Sequence, residues 1–270
     1  DLHRRRHSFP TRRSSDLTMA VSIEEIGTRT EKCDKHGEFE SVGRKTLLGQ
    51  FWTTCKLCDD ERIADAKAAE EAAENRRVVQ MYDAARLPIR YREVGFGNFT
   101  TSSQPQSAAL QVARTFYTEF DQACAKGSFL IFQGPPGTGK THLALAVLRN
   151  LLHAGCSARY FSAIDMIRQL RSGWRRDSGR SELEELDILS RLDLLVIDEI
   201  GVQFSSDAER VQLFDVINRR YADLRPTILV TNLTLAEIQE TLGERVFDRF
   251  REVATVVTFD WPSFRGKRAA

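Results

Sequence analysis

The chain has 270 residues, of which 41% are hydrophobic and 29% charged. This is the composition of a soluble globular protein with one large or two unequal domains. Its 39 Lys plus Arg nearly balance its 38 Asp plus Glu, which excludes a globally basic nucleic-acid binder and leaves any such contact to a local patch. No apolar run approaches the roughly 18 residues that span a bilayer, and no signal-peptide core is visible. Three of the five cysteines are clustered, unlike a secreted disulfide framework. The expectation is a cytoplasmic protein without a membrane partner.

Residues 1–18 stand apart. The run Asp1 to Leu17 holds five arginines and has no helical or strand period. It could be a basic arm for nucleic acid. It resembles more closely a peptide translated from sequencing-adapter DNA. The segment is therefore set aside as non-native, with Met19 as the expected start.

Residues 19–58 carry a paired knuckle. Cys33-Asp-Lys-His36 and Cys55-Lys-Leu-Cys58 are separated by residues 37–54. Two residues between ligands let one tight turn aim both at a tetrahedral Zn²⁺. Four protein ligands leave no open coordination position, so the expected zinc site is structural. Gly37 and Phe51-Trp52 suit a small β-ribbon.

Residues 59–106 are expected to link this module to the rest. Asp59 to Ala85 is rich in Ala, Glu and Arg and predicts one long helix ended by Leu87-Pro88. Its charges predict a solvated face. Ile89 to Ser107 predicts a polar connection containing the domain boundary. Within the remaining domain, 107–270, residues 107–125 space apolar side chains for an amphipathic helix.

Gly134-Pro135-Pro136-Gly137-Thr138-Gly139-Lys140-Thr141 matches the phosphate-loop pattern at every fixed position. An apolar strand, 128–133, precedes it and a helix, 142–152, follows. Strand, glycine loop and helix N-terminus together form an anion cradle. Lys140 is expected to reach the β- and γ-phosphates of ATP, and the Thr141 hydroxyl to hold Mg²⁺. Apolar strands at 158–162, 192–197, 226–231 and 254–259 then alternate with helices at 163–170, 206–221 and 235–242. Such alternation predicts an α/β fold, a parallel sheet flanked by helices.

Leu194 to Glu199 is a buried strand ending in two acids, about sixty residues after the phosphate loop. Asp198 would hold Mg²⁺, and Glu199 would polarise the attacking water. Asn232, after the next strand, either ends a turn or positions that water. No arginine near the phosphate loop obviously supplies positive charge in cis. Arg249 or Arg245, on a short basic helix opened by Gly243, could supply it to a neighbouring subunit or could sit in surface salt bridges. Trp174, Arg175, Arg176 and Arg180 lie in a Gly-flanked loop. That loop reads either as a single-strand DNA contact, by stacking and phosphate pairing, or as a solvated connection.

Gly134 to Thr141, Leu194 to Gln203, Leu242 to Arg251 and Phe259-Asp-Trp-Pro-Ser-Phe-Arg265 together resemble the DnaC family of replicative helicase loaders, in the AAA+ class. The match runs from roughly residue 82 to 266. The resemblance implies that Glu199 is the catalytic glutamate, Asn232 the first sensor and Arg249 the arginine finger. It implies an ATP-hydrolysing oligomer that assembles through its ATP site, acts on single-stranded DNA and partners a DnaB-type helicase through its N-terminal module. The zinc knuckles depart from the best-known DnaC proteins and are similar to the layout of DnaI and prophage relatives. The chain ends eleven residues after Phe259, so no helical lid with a second-sensor arginine is expected. An IstB-like ATPase that assists a transposase, and a zinc-stapled adaptor with little hydrolysis, are the alternatives.

Overall fold

A computed structural model describes residues 24–47, 49–172, 181–201 and 207–265. The chain divides into two compact units, Asp1–Arg76 and Arg77–Ala270.

In the first unit, β1 (Glu24–Cys33) and β2 (Gly37–Thr46) form an antiparallel hairpin closed by the pair Cys33 and Gly37. Gly37 takes φ +82°, a conformation that suits glycine at a tight turn. β3 (Gly49–Trp52) adds to the free side of β2, giving the order β1-β2-β3. Arg29 lies 4.1 Å over the Trp52 ring. This unit buries almost no apolar surface. Among its described residues, Cys55 is the one hydrophobic side chain that is buried. A module so small needs something beyond an apolar core to hold it.

Helix α1 (Lys56–Ala84) starts in the first unit and ends in the second. Residues 61–77 are all exposed, in keeping with their charge pattern. The helix ends where Arg86 turns to φ +57° and the Leu87 amide bonds back to Tyr82 O, just before Pro88.

The second unit differs from expectation at its start. The stretch read as a polar connection holds short 3₁₀ turns at Ile89–Tyr91 and Phe96–Asn98. Tyr82, Ala85, Leu87, Val94 and Phe99 are buried in the same core as the sheet. The unit boundary therefore falls inside α1, between Arg76 and Arg77, rather than near residue 106. Isolated apolar residues without a period gave no sign of this anchoring. The amphipathic helix expected at 107–125 is two helices, α2 (Gln104–Thr118) and α3 (Phe120–Lys126). The break at Glu119 re-aims the chain so that Phe120 and Ala123 reach the core.

The remaining elements alternate: β4 (Phe129–Gln133), α4 (Lys140–His153), β5 (Ala158–Ser162), α5 (Ala163–Ser172), α6 (Glu182–Arg191), β6 (Leu194–Ile200), α7 (Asp207–Ala222), β7 (Thr227–Thr231), α8 (Leu235–Leu242), α9 (Glu244–Val253) and β8 (Ala254–Thr258). The five strands are all parallel, in the order β5-β6-β7-β4-β8. Side chains on alternate strand positions enter opposite layers. Leu130, Phe132, Val196 and Val230 pack with α2 and α4. Phe129, Ile131, Ile197 and Leu229 pack with α5 to α9. The three central strands, β4, β6 and β7, are thus buried on both faces, which is why they read as unbroken apolar runs, whereas β8 at the sheet edge stays largely exposed.

One polar group is built into this core. Arg220 is fully buried. Its guanidinium donates to the carbonyls of Leu189 (2.7 Å), Leu192 (3.0 Å) and Pro226 (2.5 Å) and to Thr227 Oγ1 (2.9 Å). These bonds tie the end of α6 to the start of β7. Burial pulls the Arg220 pKa down to about 9.

Candidate functional site

In a parallel sheet the C-terminal strand ends share one edge, so residues distant in sequence meet there. The loops after β4, β6 and β7 and the turns before α2 line a cleft of about 460 Å³. Pro136, Gly137, Gly139, Lys140, Thr141, Asp198, Glu199 and Asn232 all face it.

The loop from Gly134 to Gly139 can lie so tightly because three glycines leave positive φ open to it. A Cβ on Gly134 (φ +136°) would lie 2.3 Å from Phe259 O, and one on Gly139 (φ +94°) 2.6 Å from Phe99. The Thr138 hydroxyl braces the loop on Pro135 O at 2.9 Å. Lys140 Nζ, largely buried, donates to Gly134 O at 2.6 Å and Pro135 O at 2.7 Å. Burial holds its pKa below the usual lysine value, against the pull of Asp198. A buried ammonium resting on neutral carbonyls beside a glycine cradle is well matched to phosphate.

Asp198 is buried at the end of β6. Its Oδ2 accepts from Thr141 Oγ1 at 2.8 Å and from the Tyr160 hydroxyl at 3.2 Å. Its Oδ1 accepts from the Glu199 amide at 2.7 Å. Burial pushes its carboxyl above the usual range, and these three donors and Lys140 oppose the shift. A hydroxyl and a carboxylate in contact are the oxygen donors Mg²⁺ takes beside a polyphosphate. Glu199 is exposed and takes φ +59°, where the β6–β7 pairing is irregular between Ile197 and Ile200. That irregularity turns its side chain from the strand into the cleft. Asn232, just past β7, is exposed and lines the same cleft. The cleft residues fit a magnesium nucleotide.

Arg249 does not line this cleft. It is partly buried on α9, 5.6 Å from the Phe214 ring and 5.3 Å from the Tyr221 ring of α7. Its Nη1 has no hydrogen-bond partner among the described residues. Arg245 is exposed on the same helix. Trp174, Arg175, Arg176 and Arg180 lie outside the described residues.

Sequence reasoning missed three contributors. Tyr160 lay in the strand expected at 158–162 without a role, and its hydroxyl reaches Asp198 in the cleft. Arg90 and Arg265 line the cleft in cis, although no nearby arginine was evident from the chain. Only the Phe259 to Arg265 run hinted at the second, and nothing local placed it at the loop.

The second cluster is in the first unit. Donor atoms of Cys33, His36, Cys55 and Cys58 lie within 4.8 Å of one another. His36 Nδ1 is 3.7, 3.6 and 3.3 Å from the sulfurs of Cys33, Cys55 and Cys58, and the Cys33 and Cys58 sulfurs are 3.5 Å apart. Zinc bonds of about 2.3 Å to sulfur and 2.0–2.1 Å to nitrogen give tetrahedral edges of about 3.5–3.8 Å. The backbone amides of His36 and Lys35 hold the Cys33 thiol down to about 6. The Cys33 hydrogen bond and burial push Cys58 up to about 11, since two thiolates this close repel without a cation between them. The far ring nitrogen of His36 meets Glu61 Oε1 at 3.2 Å, and Lys35 holds Glu61 from the other side at 2.6 Å. This carboxylate fixes the tautomer that leaves Nδ1 free to ligate. The set fits one structural Zn²⁺.

No helix among the described residues is long and apolar enough to cross a membrane. The family model described as "IstB-like ATP binding protein" matches residues 57–270. The replicative helicase loader DnaC of Escherichia coli K12 is 38% identical over 204 residues, covering 74% of this chain and 82% of the loader. DnaC of Buchnera aphidicola subsp. Schizaphis graminum is 34% identical over 195 residues, covering 71% of this chain and 78% of its own. A crystal structure of the DnaC helicase loader superposes with a TM-score of 0.57 at 29% identity, covering 63% of this chain and 99% of that one.

Proposed function

The chain belongs to the IstB-like ATP-binding protein family, and from that premise we propose that it hydrolyses ATP to load a DnaB-type replicative helicase onto single-stranded DNA. The observation that carries this reading is the meeting of Lys140, Thr141, Asp198, Glu199 and Asn232 on one cleft, in a chain 38% identical to a helicase loader. It is an AAA+ protein by its sheet order and by its likeness to the DnaC structure.

Lys140 exchanges its loop carbonyls for the β- and γ-phosphates. Thr141 and Asp198 hold Mg²⁺, which neutralises charge on the phosphates. Glu199 orients water and accepts its proton, and Asn232 holds that water in line. Arg249, outside its own cleft, reaches the cleft of a neighbouring copy, so the assembly closes through the ATP site. The zinc-stapled N-terminal module docks on the helicase, and Trp174, Arg175 and Arg176 contact the single strand. The protein works in the cytoplasm.

Pull-down of purified protein against a DnaB-type helicase and against a transposase tests the reading. Retention of the helicase with ATP supports it. Retention of the transposase alone moves the protein to the transposition branch of the family. Turnover measured with and without single-stranded DNA separates a working ATPase from an adaptor that binds ATP and barely hydrolyses it.

A further inference from the structure

After β8 the chain turns back over the phosphate loop and is bonded to it at two points. The buried Trp261 indole N–H donates to Thr138 O at 2.9 Å, and the Phe264 amide donates to Gly137 O at 2.8 Å. Aromatic packing fixes the course of this return. Phe132 meets Phe259 edge-on and Phe259 meets Trp261 at a tilt, with centroids 5.2 and 4.7 Å apart, and Phe264 meets Phe99 edge-on at 6.0 Å. The fit is close enough to consume the space a side chain would need. A Cβ on Gly137 would lie 2.0 Å from Ser263 Oγ and 3.3 Å from Arg265 Cδ.

The last described residue of this strap is Arg265. Its stem crosses Gly137, its amide is held by Ser263 Oγ at 3.0 Å, and its side chain lines the cleft with Lys140. No carboxylate among the described residues forms an ion pair with it. A guanidinium held beside a phosphate cradle and unmatched by an acid has the chemistry to pair with an anion.

We propose that the C-terminal strap, anchored by Trp261 and Phe264 on the phosphate loop, delivers Arg265 as a second cation from the same chain to the polyphosphate of the bound nucleotide. The proposal rests on the reading of the cleft as an ATP site. Arg265 also helps to lower the Lys140 pKa, which places the two cations within electrostatic reach of one another. Two like charges side by side disfavour each other until an anion lies between them. The strap thereby makes polyphosphate charge part of what holds the C-terminal segment on the loop.

The test is a fluorescence titration of the full chain with mant-ATP and Mg²⁺, at about 0.05 and about 0.5 M salt. Arg265→Met keeps the stem that covers Gly137 and removes the charge. It is expected to weaken binding roughly tenfold at low salt, with a smaller deficit at high salt. Arg265→Lys is expected to recover most of the loss. Thermal melting without nucleotide should be the same for all three proteins, because the side chain is exposed. Arg265→Met binding as tightly as wild type at low salt overturns the proposal and leaves the ATP site standing. A deficit that Arg265→Lys shares in full and salt does not change also overturns it, since charge is then not the cause. A wild-type chain that binds no mant-ATP overturns both readings.

Discussion

Thr141 Oγ1 donates a 2.8 Å hydrogen bond to Asp198 Oδ2, joining the first turn of α4 to the end of β6. Burial raises the pKa of this carboxyl above its ordinary 3.8. The folded state therefore favours the neutral form more than the unfolded chain does. Its contribution to stability is fully present below the unfolded value and is lost as pH rises through the folded value. Asp198→Asn does not titrate, so comparison isolates the group. The wild-type Tm minus that of Asp198→Asn should move against wild type as pH rises above about 4. Melting by circular dichroism across that range checks this; a pH-independent difference would refute it.

Glu199→Gln should leave nucleotide binding near wild type and slow hydrolysis by at least about a hundredfold. The side chain enters the cleft from a positive-φ position without packing in the core, so the fold should be untouched. Mant-ATP binding and phosphate release, measured together, decide it. Hydrolysis at the wild-type rate would move the water-orienting role to another residue.

One zinc per chain is expected by metal analysis. Glu61→Ala should lower zinc affinity roughly 10–100-fold in a chelator competition, because His36 loses the carboxylate that sets its tautomer. Cys55→Ser should unfold the first unit and spare the second, since the first unit buries so little apolar surface of its own. Limited proteolysis reads the two units separately. A metal-free protein with an intact first unit would contradict the assignment.

Gly134→Ala should cost roughly 3 kcal/mol, lowering Tm by about 6–12 °C, because the new Cβ would face backbone that cannot swing aside. The same change should weaken nucleotide binding. An unchanged melting curve would mean that the loop and Phe259 separate easily.

The loop around Trp174 makes a separable claim. Trp174→Ala should cost about 1–3 kcal/mol of single-strand affinity at every salt concentration. Arg175→Ala should flatten the log–log salt slope by about 0.7. Anisotropy with oligo-dT and a non-hydrolysed ATP analogue measures both. If neither variant differs from wild type, the DNA surface lies elsewhere.

Local signals were read well where one segment sufficed and less well where packing set the outcome. Helix α6 went unforeseen although Ser181 and Glu184 form a reciprocal N-terminal cap, with Leu186 and Leu189 buried behind it. Its short apolar period was masked by acidic neighbours. The stretch from Ile89 to Ser107 read as polar, yet Val94 and Phe99 are buried and Phe99 closes on Gly139. Two isolated apolar residues carry no period, so nothing in the chain distinguished an anchor from a loop.

By itself the sequence determined the phosphate-loop motif, the acidic strand end, the Cys and His pairs that cluster in the first unit, and the parallel α/β class. Each is a contiguous pattern whose geometry follows from backbone preference and ligand spacing. Tertiary structure alone decided the strand order, the placing of Tyr160 against Asp198, of Glu61 against His36 and of Arg265 over Gly137. These contacts join residues far apart in the chain. Their partners are selected by strand crossovers and by aromatic packing, neither of which leaves a period in the local sequence.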